Sequence, residues 1–132
     1  MIKVTSATIY LTPENTPRSA DFDDVYFSNS NGLQETDYVF VDGNDLIAKW
    51  ESHKNSHFCI AETGFGTGLN FFRTVQHFLC FRRKHPEHKL TTLNFISTEK
   101  HPLTKTDASS LYQKWKSENF LSTNDLENSM MK

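Results

Sequence analysis

The segment Glu62-Thr63-Gly64-Phe65-Gly66-Thr67-Gly68 constrains the fold more than any other stretch of the chain. A short apolar run, His57-Phe58-Cys59-Ile60-Ala61, precedes it, and Leu69, Phe71, Phe72, Val75, Phe78, Leu79 and Phe81 follow at three- and four-residue steps. The run suits a buried parallel strand, and the stepped residues form the apolar stripe of an amphipathic helix. A chain that passes from strand to helix through such a loop must reverse tightly, and glycine supplies the backbone angles this needs. His85-Pro86 closes the helix, because proline disfavours helical geometry in the residue before it.

A second strand is expected at Leu90 to Ser97, with Leu93, Phe95 and Ile96 as its apolar members. His101-Pro102 then opens a helix from about Leu103 to Lys116 on Leu103, Ala108, Leu111, Tyr112 and Trp115. Strand, glycine loop, helix, strand and helix in that order begin a doubly wound parallel sheet, so the fold class is α/β and Rossmann-like.

Upstream, the β-branched residues within 4 to 10 predict a strand, Pro13 to Pro17 a turn, and Asp21 to Ser28 a returning strand, which together make an N-terminal β-hairpin extension. Leu33 to Val41 suits a short helix closed by Gly43, and Asn44 an N-cap for a helix from Asp45 to Ser52. The alternation at Tyr38, Phe40 and Leu46 also permits strand there. The expected organisation is residues 1–56 as hairpin and short helices, 57–116 as the first half of the Rossmann-like domain, and 117–132 as a polar tail.

A length of 132 residues allows one modest domain. Hydrophobic residues make up 36%, a low share that aromatics, at 13%, offset with large rings to bury. A formal charge of −2 gives no global positive field for nucleic acid. The local basic run Arg82-Arg83-Lys84-His85, with His88 and Lys89, reads either as a solvated helix end favoured by the helix dipole or as a phosphate-contacting patch. Cys59 and Cys80 lie in apolar surroundings and read as buried free thiols of an intracellular protein. No leader peptide or membrane-length apolar stretch is evident, which points to the cytoplasm. Six histidines form no ligand pattern with the two cysteines, so no metal is expected.

The dinucleotide fingerprint has two residues between its second and third glycines, whereas Gly64, Gly66 and Gly68 are evenly spaced. Glu62, just before the loop, would repel a phosphate but suits a cationic amino-acid moiety or hydroxyl groups. This argues for S-adenosylmethionine over a nicotinamide cofactor. Glu99 ends the second strand, where the ligand crevice of an open α/β sheet lies, and could accept both ribose hydroxyls. Its bland alternative is an exposed strand-end acid paired with Lys100, and that of the loop is a plain structural turn.

Glu62 through Phe71 resembles the S-adenosylmethionine motif of the methyltransferase domain of the MnmC family of bifunctional tRNA-modifying enzymes. The resemblance extends through Asp21 to Ser28, Gly32 to Thr36 with Tyr38-Val39-Phe40, Phe95-Ile96-Ser97 with Glu99-Lys100, and Pro102-Leu103, reaching about Trp115. It implies that Glu62, Gly64, Phe65, Gly66, Gly68 and Asn70 line the cofactor, that Glu99 holds its ribose, and that Tyr26 and Glu35 close over it. Tyr26 and Phe65 are equally readable as core aromatics.

The implied reaction methylates the aminomethyl group of 5-aminomethyl-2-thiouridine at the tRNA wobble position, giving 5-methylaminomethyl-2-thiouridine. The implied partner is tRNA, with no membrane. The family's later Asp-Gly-Phe segment, whose following loop carries its proposed catalytic aspartate, is absent from this sequence, so no catalytic residue is assigned. Its flavin-dependent oxidase is absent too, so FAD is not expected. The chain therefore reads as truncated. The alternative is a non-catalytic remnant that at most binds the cofactor or a partner.

Overall fold

The computed structural model describes residues 3–14, 16–21, 26 and 32–117. Strands β1 (Ile9–Leu11) and β2 (Pro17–Ser19) pair antiparallel, with Tyr10 opposite Arg18. The expected hairpin is present, but it is shorter and returns earlier than the composition suggested. Pro17 has the signature of a turn because it lacks an N–H, yet the first residue of a strand in a two-stranded ribbon tolerates that loss. Asp21 lies in a turn and Tyr26 in a bend, while 22–25 and 27–28 of the expected return strand lie outside the described residues. Ahead of β1, Ala7 forms a parallel bridge with Leu103 and donates its amide to the Pro102 carbonyl at 3.0 Å.

Helix α1 (Gly32–Thr36) runs directly into a π-helical segment, Asp37–Asp42, where the sequence suggested one continuous short helix. The widened turn is closed by the Gly43 amide, which donates to the Tyr38 carbonyl five residues back at 3.0 Å. Helix α2 (Leu46–Ser52) follows, and Asn44 does not cap it. The Asn44 side chain instead donates to the Phe40 carbonyl at 2.8 Å, satisfying the end of the helix behind it. Asp45 takes the cap position in the left-handed conformation without a side-chain cap bond.

Strand β3 (His57–Thr63), helix α3 (Leu69–Lys84), strand β4 (Thr92–Thr98) and helix α4 (Lys105–Ser117) form the main unit. The strands run parallel with Ile60 opposite Phe95 and Thr63 opposite Thr98, and α3 makes the crossover between them. Val41, Leu46, Trp50, Ile60, Phe78, Phe81 and Leu90 form one buried cluster, with Phe58, Leu93 and Phe95 packed against it. Trp50 meets the Phe78 ring edge-on at 5.2 Å, so the upstream helices and the parallel pair share this core. Leu69, Leu111 and Trp115 form a second cluster that seats α4 on the start of α3.

Four further expectations need correction. β3 is half-buried and not enclosed, because among the described residues helices cover the face carrying Phe58 and Ile60, while Cys59 and Ala61 are exposed. Cys59 is therefore an exposed thiol, whereas Cys80 is buried as expected. On α3, Leu79 is exposed while Arg73 and His77 are buried, a substitution of charge for apolar surface taken up below. The basic run is partly structural: the Arg82 guanidinium donates to the carbonyls of His85, Pro86, His88 and Leu90 and so ties down the α3–β4 loop. No helix among the described residues is long and apolar enough to cross a membrane.

Candidate functional site

The parallel pair delivers its two strand ends to one place. At the end of β3 the Gly64 and Phe65 amides donate to the Thr98 carbonyl of β4 at 2.8 and 3.1 Å, so the glycine loop starts anchored to the neighbouring strand. Gly64, Gly66 and Gly68 all have positive φ, at 82°, 56° and 84°. An L-residue at any of the three would be strained, which explains the even spacing of the glycines. A Cβ on Gly64 would meet nothing within 4 Å, so the backbone there is open to close approach. A Cβ on Gly68 would stand 2.7 Å from the Phe65 ring, so that glycine serves packing and the entry to α3.

Glu99 grips the loop. Its carboxylate accepts the Gly66 amide on Oε2 and the His101 amide on Oε1, both at 2.8 Å. Burial alone would raise its pKa, but the amides of Gly66, His101 and Lys100 and the charge of His101 outweigh this and hold it below the usual carboxylate range. Glu62 accepts from Ser97 Oγ at 3.0 Å and from Asn70 Nδ2 at 3.3 Å, joining the end of β3 to β4 and to the first turn of α3. Tyr112 closes the far side by donating its hydroxyl to the Thr67 carbonyl at 3.0 Å.

Over the loop lies a cavity of about 350 Å³, inside the range of roughly 300–1,000 Å³ common for small-molecule sites. Six of the residues singled out from the sequence line it: Tyr26, Glu35, Gly64, Phe65, Gly66 and Asn70. The Tyr26 ring lies 3.6 Å from where a Gly66 Cβ would stand. Burial, together with the charges of Glu99 and Asp21, raises the Tyr26 phenol pKa despite a hydrogen bond with Ser19. Gly68, Glu62 and Glu99 are not part of the lining: Gly68 is packed behind the loop, Glu99 sits on the Gly66 amide, and Glu62 faces a neighbouring groove. That groove, of about 760 Å³, runs along β3 and shares Phe40 and Asn70 with the cavity.

Sequence reasoning found Glu35 on the opposite wall but did not single out its neighbours there, Gly32, Thr36, Val39 and Phe40. Their signal was the short helix itself, since a helix of this length is stable only when packed, and one side of it faces the loop. Among the described residues, no group of three or more His, Cys, Asp or Glu is arranged to hold a metal ion.

A parallel strand–glycine loop–helix–strand unit, with acids at both strand ends and a cavity over the loop, defines a mixed α/β fold. This fold is similar to that of the crystal structure of MnmC2 from Aquifex aeolicus, with a TM-score of 0.56 and 21% sequence identity over 84% of this chain. The matched region spans 38% of the length of that protein. No family model matches the chain.

Proposed function

We propose that this chain is the cofactor-binding front half of a Rossmann-like, S-adenosylmethionine-dependent methyltransferase domain acting on tRNA wobble uridine. The reaction is methylation of the aminomethyl group of 5-aminomethyl-2-thiouridine to 5-methylaminomethyl-2-thiouridine. The observation that carries the reading is the glycine loop, held at its centre by Glu99 and facing a cavity lined from both sides. The resemblance of fold to MnmC2 supports the same assignment.

The residues present fit the group. The open backbone at Gly64 and the left-handed angles of the loop leave room for a ligand to lie against the main chain. Glu35 and Asn70 offer an acceptor and an amide to its polar groups, and the Tyr26 and Phe65 rings offer faces for the purine. Glu62 would orient the amino-acid end through Asn70, and Glu99 would hold the ribose with the acceptor capacity left beyond its two amide bonds. S-adenosylmethionine supplies a methyl group on a sulfonium, ready for displacement by an amine. The chain's own contribution is positioning, the term that governs an in-line displacement.

Equilibrium dialysis of the 132-residue chain and its Gly66→Val variant against labelled S-adenosylmethionine tests the reading. Saturable retention by the parent and none by the variant is expected. Equal retention by both, or by neither, removes the basis for the assignment.

A further inference from the structure

The two walls of the cavity belong to different parts of the chain, and a single carboxylate joins them. Asp37 opens the π-helical segment that carries Val39 and Phe40 into the lining. Arg73 and His77 lie on α3, one and two turns beyond Leu69 at the loop's exit. Arg73 approaches Asp37 with two nitrogens, Nε to Oδ1 at 2.7 Å and a terminal nitrogen to Oδ2 at 2.6 Å. His77 Nε2 lies 2.8 Å from Oδ1, and the remaining arm of Arg73 donates to Gln76 at 3.2 Å.

This cluster sits where packing alone would place apolar side chains. Leu69, Arg73, His77 and Phe81 share one stripe of α3, and Arg73 and His77 are 8% and 7% exposed. Removing a guanidinium and an imidazole from water is expensive, and an apolar set of similar volume generally serves stability as well or better. His77 carries an added cost, since its Nδ1 is buried with no partner among the described residues. What apolar contacts do not supply is direction. A bidentate guanidinium fixes the distance and angle between two backbones that are 36 residues apart in sequence. The π-turn it holds is tightly built as well, because a Cβ on Gly43 would stand 2.4 Å from the Val39 carbonyl oxygen.

We infer that Asp37, Arg73 and His77 are positioning residues that set the width of the cavity by clamping the Asp37–Asp42 wall to α3. The inference deepens the proposed function and rests on it for the identity of the ligand. None of the three lines the cavity itself, so the cluster acts through the neighbouring wall residues Thr36, Val39 and Phe40.

The test compares the parent chain with Asp37→Asn and with the apolar triple variant Asp37→Leu/Arg73→Met/His77→Leu. Each is followed by urea unfolding, by amide hydrogen exchange across 37–42, and by titration with S-adenosylmethionine. The triple variant should unfold near the parent midpoint, yet exchange in 37–42 about tenfold faster and bind the ligand about tenfold more weakly. Asp37→Asn should move exchange and affinity in the same direction, and it remains informative if the triple variant does not fold. Parent-like exchange, or faster exchange with parent-like affinity, overturns the inference. If the parent itself binds no S-adenosylmethionine, the assigned function falls, and the exchange of 37–42 still decides whether the clamp exists.

Discussion

The two faces of the β3–β4 pair differ both in the side chains they carry and in what covers them. Phe58, Ile60, Leu93 and Phe95 are packed against a core that Trp50, Phe78 and Phe81 fill from α2 and α3. On the other face Cys59, Ala61 and Ile96 are exposed, and Ile96 keeps 59% of its surface in solvent. Parallel strands are ordinarily covered on both sides. An apolar run alone therefore does not say which of a strand's faces is buried; the elements packed against it decide that. The glycine loop stands at the end of both faces and is held by Thr98 at the end of β4, by Glu99 just beyond it and by Tyr112 of α4.

Thiol chemistry should show this difference most sharply. Cys59 lies on the bare face and Cys80 is 2% exposed, so a disulfide reagent should label Cys59 at least about a hundredfold faster under native conditions. Comparable rates would mean that the bare face is covered or that the core is loose. Next in size, Trp50→Ala should lower unfolding free energy by about 3–5 kcal/mol, because it empties the centre of the covered face. A urea midpoint close to the parent's would contradict that core.

The Asp37 clamp should appear in acid. Burial acts to raise the Asp37 pKa, but hydrogen bonds and charges from Arg73 and His77 bring it down to about 2 from an ordinary 3.8. A depressed carboxylate stabilises the fold above its unfolded pKa and loses that contribution as pH falls through its folded value. The parent should thus lose on the order of 2 kcal/mol between about pH 4 and pH 2 from this group, and Asp37→Asn should flatten the profile there. Glu99, also depressed, adds a loss of the same sign. The smallest effect belongs to the bare face: Ile96→Ser should change stability by no more than about 0.5 kcal/mol, and a larger loss would reveal packing on that side.

Much of this was legible before the fold was known. Periodicity located α3 and α4, Pro86 located the end of α3, and the spacing of Gly64, Gly66 and Gly68 marked three left-handed positions. The hairpin's return strand was misplaced because Pro17 resembles a turn residue until its partner, Leu11, is known. Asn44 looks like an N-cap in sequence, and only the π-turn before it explains why its amide points back to Phe40. The far wall of the cavity and its clamp are long-range features. Arg73 and His77 drew no notice in the sequence, because their acid partner, Asp37, lies 36 and 40 residues away and nothing local named it.

The central claim is that the loop, its Glu99 anchor and the opposing wall already form a binding site in this chain. Isothermal titration of the purified 132-residue protein with S-adenosylmethionine tests it most directly. The account predicts saturable one-to-one binding that is lost in Gly66→Val. A flat titration of a folded protein would contradict it and leave the remnant reading in its place.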